Sequence, residues 1–252
     1  RQVFTESGEA VVHAARDILA RFQDLDAQLA DYRGMRAGTL RISVVTTSKY
    51  FIPHLLGSFC DKYPEIDLQF RVGNREQIVE RLHAGLDDLY VFSHPPESED
   101  IAVSDFLPNP LVAIAPEGHP LAKRKSLKLS DLAEPPFLMR EPGSGNRYAI
   151  ERFFRKKKVQ LSVRMTIESN EAIKHAVMSG LGISILSAHT LSFGGRAGLS
   201  ELKVKGLPIE SRWYLVRERQ KAPSIPAQAF LEYLEASGQT EALIRELSPP
   251  PH

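Results

Sequence analysis

Hydrophobic residues near the start of the chain fall at alternating spacings of four and three: Val11, Ala15, Ile18, Phe22, Leu25, Leu29 and Tyr32. That spacing is a heptad seam, and it predicts one helix over residues 8–33 that needs a partner helix along its length. The alternative is a helix packed on its own domain. Glu6-Ser7-Gly8-Glu9 is the start signal, and Gly34 and Gly38 are the stops.

Beyond Gly38 the pattern changes to short apolar runs alternating with amphipathic ones. Strands are expected at 39–45, 66–72 and 88–92, with helices at 51–63, carrying Pro53 in its first turn, and at 75–84. A second unit follows in the same style. Its expected parts are an apolar run at 111–115, a strand at 137–140, a helix from about 148 to 157, and a strand at 163–167. Trp213-Tyr214-Leu215-Val216 is an apolar strand able to return the chain to the first unit, and 226–236 is a closing helix. Alternating strands and helices imply parallel sheets with right-handed crossovers, and in such sheets ligands sit at the carboxyl ends of strands. Residues 248–252, Ser-Pro-Pro-Pro-His, are expected to be disordered.

The stretch 166–186 carries the most information. It reads as a strand, a polar turn, a helix and a second strand. Ser169 or Asn170 is placed to cap the helix, Gly180 to end it in the left-handed conformation, and Ile183, Ile185 and Leu186 to form a buried strand. A helix N-terminus opening on a polar turn suits a small anion, although the same unit could simply meet water.

Composition narrows the function. The chain has 252 residues, 42% hydrophobic and 25% charged, with a formal net charge of +1. That is an ordinary globular composition with no basic footprint for nucleic acid. Cys60, the single cysteine, reads as a small buried hydrophobe and excludes an internal disulfide or a cysteine-based zinc site. No apolar run reaches the roughly 18 residues of a membrane span, and the N-terminus lacks a signal-peptide core, so a cytoplasmic address is expected.

Four polar turns fall at equivalent places, two in each unit: 46–50, 73–75, 141–147 and 169–171. If the lobes face each other, all four converge on one cleft, and their chemistry suits an anion. Thr46, Thr47, Ser48, Ser144 and Ser169 supply hydroxyls, and Lys49, Arg75, Arg140 and Arg147 supply charge. Gly143 and Gly145 allow close backbone approach. Catalytic constellations are poor. The histidines show no metal-ligand spacing, and Gly143-Ser144-Gly145 is not a nucleophile elbow. Neither a phosphate-loop lysine motif nor a dinucleotide fingerprint is present. Most of His54, His83, His94, His119, His175 and His189 read as solvated or loop histidines, and Asp87-Asp88 as a solvated turn. The basic run 155–158 reads as a solvated face.

The helix over 8–33, followed by Gly38-Thr39-Leu40-Arg41-Ile42-Ser43 and a two-lobed α/β unit, resembles the LysR-type transcriptional regulators. Residues 1–10 are similar to the end of that family's winged helix-turn-helix and the start of its linker helix. The resemblance implies a chain lacking the DNA-reading domain, with a periplasmic-binding-protein-like regulatory fold behind a dimerisation helix. A narrower likeness, to the CbbR-like branch that controls carbon-fixation (Calvin-cycle) operons, rests on five segments. These are Thr47-Ser48-Lys49-Tyr50-Phe51, Asn74-Arg75-Glu76, Leu86-Asp87-Asp88-Leu89-Tyr90, Arg140-Glu141-Pro142-Gly143-Ser144-Gly145 and Ser169-Asn170-Glu171-Ala172-Ile173-Lys174.

By that resemblance Thr46, Thr47, Asn74, Ser144, Ser169 and Asn170 match effector-contact positions, to which charge logic adds Lys49, Arg75, Arg140 and Arg147. It implies a small anionic effector: a sugar phosphate, phosphoglycolate, phosphoenolpyruvate or a nicotinamide nucleotide. It also implies a homodimer or homotetramer joined through Val11, Ala15, Ile18, Phe22, Leu25 and Leu29, with DNA bound through the missing N-terminal domain. No cofactor, metal, membrane contact or enzymatic activity is expected. The expected organisation is 1–37 for the wing end and linker helix, 38–113 with 218–240 for lobe I, 114–217 for lobe II, and 241–252 for a tail. A solute-binding protein of a transporter shares the two-lobed fold but has no need of a heptad helix. An enzyme on the same fold is disfavoured by the missing catalytic groups.

Overall fold

The structure, a computed structural model, describes residues 5–31 and 36–247. Helix α1 (Glu6–Asp31) leads into β1 (Gly38–Val45), a single 3-10 turn (Thr46–Tyr50), α2 (Ile52–Lys62), β2 (Ile66–Gly73), α3 (Arg75–His83), β3 (Leu89–Phe92) and β4 (Ile101–Pro108). Then follow β5 (Leu111–Pro116), β6 (Phe137–Arg140), α4 (Gly145–Lys156), β7 (Val163–Ile167), α5 (Asn170–Met178), β8 (Ile183–Ser187), α6 (Ala188–Gly194) and β9 (Leu199–Glu201). The chain closes with β10 (Arg212–Glu218), α7 (Ile225–Ala236) and α8 (Gln239–Leu247). The expected features at residues 1–4, Tyr32, Gly34 and 248–252 lie outside the described residues.

Two five-stranded sheets make two lobes, in the orders β2-β1-β3-β10-β4 and β7-β6-β8-β5-β9. Within the first, β1 runs parallel to β2 and β3, while β10 inserts antiparallel between β3 and β4. The second repeats the plan, with β6 parallel to β7 and β8, and β5 antiparallel to β8 and β9. The sheets are therefore mixed rather than wholly parallel, because the strands that enter each lobe from the other run against the grain.

Those crossings lie side by side. The Asn109 N–H donates to the Ser211 carbonyl at 2.8 Å, and Leu111 and Ile209 exchange backbone bonds at 3.0 and 2.9 Å. By strand membership the chain passes to the second sheet before Leu111 and returns before Arg212, earlier than the 113/114 and 217/218 boundaries read from sequence. The apolar runs looked continuous there, and only the pairing partner decides which sheet a strand joins.

The first lobe's core joins Leu40, Ile42, Phe51, Leu55 and Phe59 to Trp213 of the return strand and Phe230 and Tyr233 of α7. Leu243 of α8 is buried in the same core, so residues 241–247 are a packed helix rather than part of a tail. Cys60, at the margin, is only partly buried. The second lobe has two clusters, one on each face of its sheet.

Asp87 and Asp88 are not a solvated turn. The Asp87 carboxylate accepts from Ser43 Oγ (2.7 Å) and from Arg81 Nε and Nη2 (2.8 and 2.7 Å), and Asp88 accepts from the Arg41 N–H and from Ser224 Oγ. These bonds stitch β1, α3 and α7 together at the end of the sheet remote from the cleft. Burial pushes the Asp88 carboxyl above its ordinary range, against bonds from Arg41 and Ser224 that pull it down.

The seam of α1 stands in solvent in the single chain. Val11 is 68%, Ile18 56%, Phe22 62%, Leu25 48% and Leu29 50% exposed, and Ala15 is exposed with them.

Candidate functional site

The four polar turns follow β1, β2, β6 and β7 at their carboxyl ends, and the two lobes bring them face to face. Asn170 at the head of α5 donates through Nδ2 to Thr47 Oγ1 of the first lobe (2.9 Å), while its Oδ1 accepts from Arg140 Nη1 (2.5 Å). Arg140, 3% exposed, is also held in bidentate fashion by Glu141, with both bonds at 2.7 Å. A buried guanidinium needs such a counter-charge. Its charge is therefore spent inside the protein, and its role is to hold Asn170 across the cleft. A second bridge joins Tyr50 Oη to Glu171 Oε1 (2.5 Å), with Lys174 on the other carboxylate oxygen (3.0 Å). Burial, then the bond to Glu171, raises the Tyr50 pKa. Burial opposes ionisation of Glu171 too, but the Tyr50 and Lys174 bonds outweigh it and hold the carboxyl below its usual value.

Between the bridges and the mouth of the cleft is a small space of about 20 Å³, room for one water. Thr46, Thr47, Arg75, Arg140, Ser144 and Gly145 line it, with Phe92, Ser93, His94 and Asn146 among the residues that complete its walls. A wider outer recess of about 320 Å³ shares Arg75, His94 and Ser144 and adds Gly143, Arg147, Tyr148 and Glu151. His94 and Tyr148, one from each lobe, stack across the mouth with centroids 3.8 Å apart. The lobes meet closely here, since a Cβ on Gly145 would lie 2.1 Å from Ser93 Oγ. Gly143, at φ 85°, makes the left-handed turn that brings the chain round to α4.

Two features give this space its electrostatics. Ser144 occupies the N-cap position of α4, yet its side chain makes no cap bond, so among the described residues the first-turn N–H groups of the helix lack the usual N-cap acceptor. They carry the partial positive charge of the helix terminus. Arg75 donates through Nε to the His94 carbonyl (3.0 Å) and has no carboxylate partner among the described residues. Desolvation lowers its pKa from the ordinary arginine value, the sign of a cation lacking a counter-ion. Arg147, by contrast, is paired with Glu151 and donates to the Arg140 carbonyl. Burial, with Arg75 and Arg152 nearby, lowers the His94 pKa against the pull of Glu97.

Other residues nominated from sequence have local roles and line neither space. Ser48 is buried and donates to the Val45 carbonyl. Lys49 lies over the Tyr50 ring, 5.2 Å from its centroid. Asn74 and Gln77 form the capping box of α3, and Ser169 caps α5. Sequence reasoning missed Asn146, although a signal was present. Asn146, Ile150 and Phe154 are the buried residues of α4, four apart, so a side-chain amide sits on the helix's apolar stripe. His189 was also misread. It is wholly buried beside Phe51 and Trp213, with Nε2 2.9 Å from the Pro108 carbonyl.

Residues 33–239 match the LysR substrate binding domain family. The chain belongs to the LysR-type transcriptional regulators. It is 46% identical over 240 residues to the transcriptional activator CmpR of Synechocystis, covering 95% of this chain and 79% of that protein. It is 42% identical over 234 residues to the RuBisCO operon transcriptional regulator of Acidithiobacillus ferrooxidans, covering 92% and 76%. The CcmR regulatory domain of Synechocystis, solved in complex with 2-PG, superposes with a TM-score of 0.74 at 46% identity, over 79% of this chain and 96% of that one. The two lobes are thus the periplasmic-binding-protein-like effector domain of a LysR-type regulator of the carbon-fixation branch, and the family is not one of enzymes. Among the described residues no helix is long and apolar enough to cross a membrane, and no cluster of acidic, histidine or cysteine side chains could hold a metal ion.

Proposed function

We propose that this LysR-type regulator senses a small phosphorylated anion at the cleft between its lobes. The observation that carries the reading is the uncapped N-terminus of α4 facing Arg75, a desolvated cation without a carboxylate partner. Backbone N–H groups at a helix terminus and an unpaired guanidinium form a dianion site. The outer recess lies at the small end of ligand-pocket volumes, which suits a phosphorylated acid better than a nucleotide. The 2-PG complex of the CcmR domain supports the same class.

The effector acts by population shift. A ligand that touches Arg75 and Thr46 of one lobe and the α4 terminus of the other binds the closed cleft better than an open one, and biases the equilibrium by that difference. Closure changes how subunits pack. The exposed seam of α1 supports pairing with a second copy as a dimer or tetramer, and a helix-turn-helix ahead of α1 would read the operator from the cytoplasm. Isothermal titration of the chain with phosphoglycolate, inorganic phosphate and a nicotinamide nucleotide tests the effector class. Saturable binding of phosphoglycolate, weakened about 10- to 100-fold in Arg75→Ala, is expected. Binding of the nucleotide alone would overturn the reading.

A further inference from the structure

At the inner end of the cleft, Asn146 is 2% exposed, and neither its Nδ2 nor its Oδ1 has a hydrogen-bond partner. A buried amide left unpaired is unfavourable. Most positions on a helix's buried stripe hold apolar side chains, as Ile150 and Phe154 do here, and a leucine would occupy this one without that penalty. Asn146 lines the small space alongside Thr46, Thr47 and Ser144, with both of its amide atoms shielded from solvent while the cleft is closed. Arg75 and the α4 terminus, the groups suited to a phosphate, border both this space and the outer recess.

We infer that Asn146 is a specificity-determining residue that reads the end of the effector remote from its phosphate, and that this end is a carboxylate or hydroxyl. The inference rests on the cleft being the anion site. The two ends of the ligand would then meet different chemistry. The phosphate takes the charged donors, Arg75 and the helix N–H groups. The second group takes a neutral amide that donates through Nδ2 and, where the ligand carries a hydroxyl, accepts through Oδ1. The space holds only about one water, so this second group is small and lies within a few bonds of the phosphate. Inorganic phosphate fills only the first half of the site, and an alkyl phosphate puts a methyl group against the amide. Rejection of an analogue lacking the polar group is strong where a buried polar partner would be left unpaired.

The test compares phosphoglycolate with ethyl phosphate, in which a methyl group replaces the carboxylate, on the wild-type chain, Asn146→Leu and Asn146→Ala. Wild type is expected to prefer phosphoglycolate by at least about tenfold, the discrimination of one good hydrogen bond. Both variants should lose most of that preference by weakening phosphoglycolate while ethyl phosphate changes less than about threefold. Asn146→Leu should melt no lower than wild type, because it removes two unpaired buried polar atoms. Asn146→Ala repeats the affinity measurement with a smaller side chain if leucine does not fit. An unchanged preference in either folded variant would overturn the inference and leave the anion site standing. Equal weakening of both ligands would also overturn it, since Asn146 would then serve the shape of the site rather than its selectivity. Wild type that binds neither phosphate ester would overturn both readings.

Discussion

Asn170 of the second lobe donates to Thr47 of the first across 2.9 Å, and the same amide accepts from the buried Arg140. One side chain thus ties the lobes together and anchors a guanidinium whose charge is already matched by Glu141. Asn170→Ala leaves an Arg140 N–H and the Thr47 hydroxyl unpaired, and should cost about 1–3 kcal/mol of stability. Because the bridge holds the closed cleft, its loss also lowers the competent population and should weaken phosphoglycolate about tenfold. Calorimetric melting and titration of the variant check both effects. An unchanged melt with unchanged affinity would mean the bridge does not hold the lobes.

On the proposed reading the effector's charged partner is Arg75, which lines both spaces, rather than Lys49, which lines neither. Arg75→Ala should weaken a phosphorylated anion by about 10- to 100-fold, the range of one charge-assisted bond. Lys49→Ala, whose ammonium lies over Tyr50 outside both spaces, should change affinity less than about threefold. Titration of the two variants with the same ligand decides between them, and the reverse ranking would move the anion to the Lys49 side of the cleft.

Phe22 and Leu25 project from α1 at 62% and 48% exposure, too much apolar surface for a helix that ends its life in water. Full burial of each is worth roughly 1.5–3 kcal/mol. The double variant Phe22→Asp, Leu25→Asp should shift the chain toward monomer in sedimentation velocity while its far-ultraviolet spectrum keeps the signal of the two lobes. Unchanged oligomers would show that other surfaces carry the assembly.

His189 gives the fold an acid sensitivity. Desolvation pulls its pKa down from 6.5 to about 4, only partly offset by the Pro108 carbonyl. The unfolded chain therefore binds a proton that the folded chain refuses. Stability from this residue is whole above about pH 6.5, falls as the pH drops toward 4, and falls no further below it. The difference is of order 3 kcal/mol. Urea unfolding of wild type and His189→Phe at pH 7.5 and 4.5 checks it. The wild type should lose more stability than the variant between the two, and equal losses would place the histidine's acid sensitivity elsewhere.

The alternation of strands and helices, the seam of α1, the Ser169 cap and the left-handed Gly180 were all legible along the chain, because each depends on residues a few positions apart. So was the grouping of Thr46, Thr47, Arg75, Arg140 and Ser144, since strand ends in an α/β lobe face one way and put their loops together. Strand β4 escaped notice because three successive residues, Val103, Ser104 and Asp105, stand in solvent at the sheet edge, where pairing with β10 rather than apolar alternation holds them. Helix α8 escaped because only Leu243 is fully buried among its described side chains. The division of labour among cations could not be read from sequence at all. Arg75, Arg140 and Arg147 are chemically identical, and only folding decides that Glu141 and Glu151 neutralise two of them while the third, partly desolvated, has no carboxylate partner among the described residues. The same holds for Asn146. Its place on an apolar stripe is written in the chain, but that its amide has no partner among the described residues is decided only by the fold.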